Sequence, residues 1–130
     1  MSKKRVLILG ANGFVGKNIY DQLKKRDDLE VTGTYLTNRY GRCLVLGDSH
    51  LIRTDLTEKR EVYQITIGID VIIQAAAATS GIKDTDERPW VQITDNLAIN
   101  PLVFEAAHQN NVSQLICFST SIVYPPNTNR

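Results

Sequence analysis

Apolar residues along the chain follow two patterns, one typical of buried strands and the other of helices. Residues 5–9 (RVLIL) form a continuous apolar run, which predicts a strand buried on both faces. From position 14 to about 26 the spacing becomes helical, with Phe14, Val15, Ile19 and Leu23 on the apolar face. The same patterns predict strands at 29–36, 50–56, 70–78 and 114–121, and helices at 57–66 and 89–109.

Alternating strands and helices predict right-handed crossovers and a parallel sheet. We therefore expect one α/β domain over residues 1–130, a doubly wound parallel sheet in three layers with strand order 3-2-1-4-5. Thr57 is a candidate cap for the second helix. Pro101 falls inside the long third helix, where it should kink or interrupt it. Residues 38–49 form the one long loop without a predicted element.

Three glycines stand where the first strand gives way to the first helix: Gly10, Gly13 and Gly16 in GANGFVG. Gly10 suits a tight turn, Gly13 lets the backbone approach a pyrophosphate, and Gly16 lets the helix pack closely on the strand. The helix then directs its free N–H groups at the phosphates. Because further strand–helix units follow, we interpret the motif as a dinucleotide site and not as a bare structural turn.

The glycine spacing resembles that of the extended short-chain dehydrogenase/reductase family, the nucleotide-sugar epimerases, dehydratases and reductases. Further matches are Asp55 in TDLT, QAAAATSGI at 74–82, Asn96, and FSTSIVYP at 118–125. Within the family the resemblance is strongest to epimerase–reductases of GDP-linked keto-sugars. It implies a Rossmann-type fold, a nucleotide-sugar substrate and hydride transfer. The implied cofactor contacts are Gly10, Asn12, Gly13, Phe14, Val15, Gly16, Asn38, Arg39, Asp55, Leu56, Ala75, Ala76, Ala77 and Asn96.

The end of the second strand decides between NAD and NADP. An acid there would bind the ribose of NAD, but the sequence TYLTNRYGR offers Asn38, Arg39 and Arg42 instead. An arginine fork suits a 2′-phosphate, so we predict NADP and keep NAD as the alternative. Two structural readings stay open, Arg39 as a solvated loop residue and Asp55 as a helix-entry residue.

Catalysis in the resembled family uses a Ser or Thr hydroxyl, a Tyr and a Lys. Alignment on Tyr124–Pro125 places the hydroxyl at Thr120, with Ser121 beside it, although ordinary strand-end polarity is the alternative. The resemblance implies a Tyr-x-x-x-Lys pair some 25–30 residues beyond Tyr124, a position that the 130 residues do not reach. Tyr20 and Lys24 have that spacing, but we expect them to be surface neighbours on the first helix.

We therefore expect this chain to be the cofactor-binding part of a longer enzyme, inactive by itself. A non-catalytic dinucleotide-binding module is the alternative. Family relatives dimerise through the helix at 89–109, so its apolar residues Val91, Leu97 and Phe104 should stay partly exposed here. The resemblance implies a homodimer for the full-length enzyme, and for this chain we predict weak or altered self-association.

The composition and charge of the chain argue against several kinds of partner and site. Fifteen basic and fourteen acidic residues give a net charge of +1, so we expect neither a nucleic-acid nor a membrane partner. No apolar stretch approaches about 18 residues, and the apolar part of the N-terminal segment is too short for a signal peptide. We expect a reduced, buried Cys117 and a cytoplasmic protein. The two histidines are isolated, so we expect no metal site.

Overall fold

The computed structural model describes residues 2–37, 48–78 and 90–119. Five strands and three helices lie within these ranges. Their bounds are β1 Lys4–Leu9, α1 Phe14–Leu23, β2 Leu29–Tyr35, β3 Leu51–Arg53, α2 Lys59–Ile65, β4 Val71–Gln74, α3 Trp90–Gln109 and β5 Gln114–Cys117.

The strands form one parallel five-stranded sheet in the order β3-β2-β1-β4-β5. The central strand β1 pairs with β2 on one side and β4 on the other, so that Ile8 lies between Gly33 and Ile73. The predicted fold class and strand order are confirmed. Because chain order reverses at β1, the sheet is wound outward from its centre in both directions.

Two apolar clusters cover the two faces of the sheet, because successive strand residues point to opposite sides. Leu7, Leu9 and Ile72 pack with α2 and α3 on one face. Ile8 and Ile73 pack with α1 on the other face. The domain therefore has the three layers that the unbroken apolar strands predict. The helical members of these clusters are Val62, Ile99, Val103, Ala106, Ala107 and Tyr20.

β4 and α2 are both shorter than predicted, and side-chain hydrogen bonds lie where β4 ends and before α2 begins. β4 stops at Gln74, whose side chain then bonds the backbone of Ala76. The expectation that Thr57 caps α2 is wrong: the helix starts at Lys59, and the Thr57 hydroxyl donates to Asp55 instead. The long helix continues through Pro101 without a break.

Burial expectations for four residues are also wrong. Phe14 and Val15 are 88% and 42% exposed, because the face that α1 buries is the one that carries Gly16 and Tyr20. Tyr20 is no surface residue but is 4% exposed within the α1-side core. Cys117 is a free but exposed thiol, since it ends the edge strand β5. By contrast, Leu97 and Phe104 of α3 are exposed as predicted.

Candidate functional site

The strand order reverses between β1 and β4, and we call the space between the segments that follow these two strands the crevice. Such a switch point is where open parallel sheets bind ligands, because the loops on either side lead away in opposite directions. Residues 10–13 leave β1 on one side, and residues 75–78 leave β4 on the other. These two segments hold six of the fourteen residues that the sequence assigns to a cofactor.

The glycine turn is closely packed at two of its three glycines. Gly10 has φ +77°, and a Cβ there would lie 2.7 Å from the Cα of Ala76. A Cβ on Gly16 would lie 2.1 Å from the carbonyl oxygen of Gly10. Side chains at both positions are therefore excluded by backbone atoms, and the first turn of α1 lies directly against the turn that follows β1.

Gly13 differs from the other two glycines because it is exposed. Among the described residues, the one atom within 4 Å of a Cβ built on it is the carbonyl oxygen of Gly10, at 3.3 Å. Gly13 is also the N-cap residue of α1, which has no side-chain cap and no acidic residue in its first turn. The positive end of the helix dipole and its first N–H groups thus face a cradle that a side chain would fill, and an anionic phosphate fits this cradle.

The end of β2 is tied to the glycine turn by three hydrogen bonds. Gly10 N–H donates to the Thr34 hydroxyl at 3.2 Å, and Ala11 N–H donates to the Thr34 carbonyl at 2.7 Å. The Asn12 side-chain amide donates to the carbonyl of Thr37 at 2.7 Å. The buried Thr34 was not among the predicted site residues, since nothing in its sequence context separates it from other strand threonines.

Helix α3 holds the segment after β4 through two asparagines. The Asn96 side chain accepts from Ala78 N–H at 2.9 Å and donates to the Ala78 carbonyl at 3.1 Å. One turn later, Asn100 accepts from the buried Gln74 amide at 2.9 Å. Ala75 and Ala76 are half-buried and Ala77 is exposed, so the backbone of this segment borders the crevice. The sequence predicts a site role for Asn96 but names neither Gln74 nor Asn100 among the candidate site residues.

Asp55 lies after β3 in a turn that it closes itself. Its Oδ1 accepts from the Thr57 hydroxyl at 2.7 Å and from Thr57 N–H at 3.0 Å. These bonds hold the pKa of the Asp55 carboxyl below its ordinary value, although partial burial acts in the opposite direction. Both bonds fall on one oxygen, so the helix-entry role and a ligand contact are compatible. The Leu56 side chain is buried in the core, which leaves only its backbone for a ligand.

The remaining predicted residues divide into two groups. Phe14 and Val15, 88% and 42% exposed, lie on the first turn of α1 beside Gly13. Asn38 and Arg39 at the cofactor site and Thr120 and Ser121 at the catalytic site fall outside the described residues.

Across residues 2–37, 48–78 and 90–119, no group of three or more His, Cys, Asp or Glu is arranged to hold a metal ion. In the same ranges, none of the helices has the length and apolar content needed to cross a bilayer.

A sequence model of the NAD dependent epimerase/dehydratase family matches residues 6–130. The chain is 35% identical over 125 residues to GDP-L-fucose synthase of Escherichia coli (strain K12), covering 96% of this chain and 35% of that enzyme. It is 27% identical over 124 residues to GDP-mannose 3,5-epimerase 1 of Oryza sativa subsp. japonica, covering 95% of this chain and 32% of that protein. The resemblance seen in the motifs is confirmed, and the chain spans about a third of the length of these relatives.

Solved structures agree on the fold. A mutated uronate dehydrogenase superposes with a TM-score of 0.75 at 26% identity, covering 98% of this chain and 44% of that one. The Bordetella bronchiseptica enzyme WbmH, solved in complex with NAD+, gives a TM-score of 0.80 at 21% identity, covering 98% and 43%. The β1–β4 crevice therefore belongs to a fold that dehydrogenases share.

Proposed function

We propose that this chain, which belongs to the NAD dependent epimerase/dehydratase family, is the dinucleotide-binding domain of a nucleotide-sugar epimerase or reductase. The observation that carries the proposal is the open face of Gly13 in front of the uncapped first turn of α1. A pyrophosphate there would receive backbone N–H groups and the positive helix end without displacing a side chain.

The rest of the cofactor would extend along the crevice in two directions from that point. Towards β2 and β3, the exposed residue Thr37 and the Oδ2 atom of Asp55, which receives neither bond from Thr57, would contact the adenosine half. Towards β4, the backbone of Ala75–Ala77 is available to the nicotinamide half, held in place by Asn96 through Ala78. Phe14 and Val15 would cover the cofactor from the helix side.

The bound cofactor would supply the hydride acceptor or donor for oxidation and reduction of the sugar. This chain's own part is to bind the dinucleotide, to fix the backbone along β4 and to present hydroxyl groups to the reacting sugar oxygen. We assign that last role to Thr120, with Ser121 beside it, because a hydroxyl both donates and accepts hydrogen bonds.

GDP-L-fucose synthase and GDP-mannose 3,5-epimerase both carry a GDP-sugar in their names, and both match nearly all of this chain. We therefore propose a GDP-linked keto-sugar as the substrate of the whole protein. A homodimer built through α3 completes the proposal, supported by the exposed Leu97 and Phe104 on that helix.

For the cofactor we propose NADP, although the matched family is described as NAD dependent. The support is the sequence after β2, which carries Asn38 and Arg39 and no acid from Thr37 to Arg42. A guanidinium group favours the 2′-phosphate that only NADP carries. Substitution of Arg39→Ala should therefore weaken NADPH more than NADH.

Fluorescence titration with NADPH and NADH tests both the dinucleotide-binding function and the preference for NADP. We expect saturable binding of both, with NADPH at least threefold tighter, and loss of this preference in Arg39→Ala. Arg42→Ala is a matched control, a second arginine of the same segment. Binding of neither dinucleotide would overturn the function, whereas tighter binding of NADH would overturn only the NADP assignment.

A further inference from the structure

We infer that Gln74 and Asn100 are a positioning pair that holds Ala76, and through it the glycine turn, in the geometry that a bound dinucleotide requires. The inference rests on the proposed function, since it concerns the same crevice. Neither side chain belongs to the glycine motif or to the residues that the sequence assigns to the site. Gln74 is 5% exposed, and Asn100 lies half-buried on α3.

Gln74 is the last residue of β4. Beyond it, the Gln74 side chain replaces the hydrogen bonds that a neighbouring strand would make to the backbone. Its Nε2 donates to the Ala76 carbonyl at 3.2 Å, and its Oε1 accepts from Ala76 N–H at 3.2 Å. A side-chain amide carries a donor and an acceptor in the arrangement of a peptide group, so it pairs with Ala76 as a neighbouring strand would. The chain can therefore leave the sheet without unpaired backbone groups at Ala76.

Asn100 fixes the orientation of that amide. The second hydrogen of Gln74 Nε2 is donated to Asn100 Oδ1 at 2.9 Å. Without this acceptor the Gln74 side chain would keep its bonds to Ala76 but lose its attachment to α3. Asn96 lies one helical turn earlier on the same helix and bonds Ala78. Two amides one turn apart thus hold two alternate residues of the crevice segment.

Ala76 in turn limits the position of the glycine turn. A Cβ on Gly10 would lie 2.7 Å from Ala76 Cα and 2.8 Å from Ala76 N, so the two backbones are in direct contact. Gly10 also contacts the start of α1 through Gly16. A displacement of Ala76 therefore changes the position of the backbone that borders the crevice after β4. It also removes the contact that restricts Gly10 after β1.

Hydrogen exchange and ligand binding in the variant Asn100→Leu test the positioning role of the pair. The substitution removes the acceptor oxygen for Gln74 and keeps a side chain of similar volume. Asn110→Leu is the matched control: its amide donates to the Tyr63 carbonyl at 3.0 Å and to the Thr66 hydroxyl at 2.8 Å, ten positions along the chain. Nine of these ten positions follow Asn100 within or up to the end of α3 at Gln109, which corresponds to about 14 Å of helix. Both variants should lose stability, but only Asn100→Leu should speed exchange of the Ala76 amide in the unliganded protein.

The binding measurement uses the tighter of NADPH and NADH and its fragment without nicotinamide (ADP-ribose or its 2′-phosphate). β4 begins the second half of the doubly wound sheet, which takes the nicotinamide side. Asn100→Leu should weaken the intact dinucleotide about tenfold and the fragment less than twofold. Asn100→Asp keeps an acceptor oxygen and should restore most of the affinity. Asn110→Leu should change neither affinity.

The double variant Gln74→Leu/Asn100→Leu should bind no more weakly than Gln74→Leu alone, because Asn100 acts only through Gln74. Additive losses, equal weakening of dinucleotide and fragment, or unchanged affinity in Asn100→Leu would each overturn the positioning role while the proposed function stands. Wild-type protein that binds no dinucleotide would instead overturn the proposed function, and the positioning role with it.

Discussion

The backbone of Gly16 lies so close to the carbonyl oxygen of Gly10 that a Cβ on Gly16 would be 2.1 Å from that oxygen. Real side chains do not reach such distances, so this contact requires glycine. It sets how closely α1 approaches the end of β1. Gly13 lies between the two in sequence, yet among the described residues a Cβ there would meet only that same oxygen, at 3.3 Å. The motif thus contains two positions that packing restricts to glycine and one exposed position with room for a ligand.

Substitution of Gly16→Ala should destabilise the fold. The added methyl group must push α1 away from the glycine turn, and overpacking of this kind costs about 1–3 kcal/mol or more. Urea denaturation should show a lower midpoint with a similar slope. A variant as stable as the wild type would contradict the close contact between α1 and Gly10.

Substitution of Gly13→Ala should have the opposite profile. Its methyl group needs a shift of only a few tenths of an ångström at Gly10, so the denaturation midpoint should stay near that of the wild type. The same methyl occupies the open face where we place the pyrophosphate, and dinucleotide affinity should fall at least tenfold, or about 1.4 kcal/mol. Unchanged affinity measured by fluorescence titration would remove Gly13 from the site.

Asp48 is the centre of a polar cluster near the C-terminal end of α1, at the other end of the helix from Gly13. Its side chain is 7% exposed and forms an ion pair with Lys24, while the Tyr20 hydroxyl donates to it at 3.0 Å and His50 N–H at 3.1 Å. The Lys24 ammonium group, first among these donors, holds the pKa of the Asp48 carboxyl well below its usual range. Burial and the bond to Asp48 raise the pKa of Tyr20.

Substitution of Asp48→Asn should lower the free energy of unfolding by about 2 kcal/mol at pH 7, because several charge-assisted bonds are lost. The folded-state pKa of Asp48 is depressed, so its contribution is complete above the unfolded pKa and is lost as pH falls towards the folded one. Wild-type stability should therefore fall from about pH 5 to pH 3, and less steeply in the variant. Asp27→Asn, at an exposed carboxylate, is the control that should keep the wild-type slope.

Helix α3 carries a stripe of exposed apolar side chains, which we call the α3 stripe: Trp90, Ile93, Leu97 and Phe104. Their spacing places them on one helical face, so we expect weak, concentration-dependent self-association through it. Sedimentation velocity should show faster-sedimenting species that disappear in Leu97→Glu. Ile67→Glu, at an equally exposed residue after α2, should leave them unchanged. A tight dimer at all concentrations would contradict the expected weakness.

The sheet could be predicted because every central strand carries its own signal. The apolar runs of β1 and β4 are continuous since both faces are covered, and the glycines after β1 need the turn and close packing that the structure contains. The cap role of Thr57 was predicted wrongly because Ser, Thr and Asp side chains near the start of a helix have several possible hydrogen-bond partners. Here the Thr57 hydroxyl donates to the Asp55 carboxylate.

Burial and support residues were harder to predict for a physical reason. Helical periodicity predicts an apolar face for α1 with Phe14 on it, but the face that packs on the sheet carries Gly16 and Tyr20. Gln74 and Asn100 are 26 positions apart, and their bond depends on how α3 crosses β4. Local sequence does not contain that information, whereas Asn96 was found through resemblance to a family.

Pro101 divides α3 into two parts with different sources of local stability. It offers no N–H to the Leu97 carbonyl, so one backbone bond of the helix is missing there. The described core residues of α3 begin at Ile99 and are mostly later, whereas the earlier part is attached through Asn96 and Asn100. The first part should open without global unfolding. The stability of the sheet does not determine this local unfolding. A ligand that contacts the first part of α3 should therefore slow local unfolding up to residue 100.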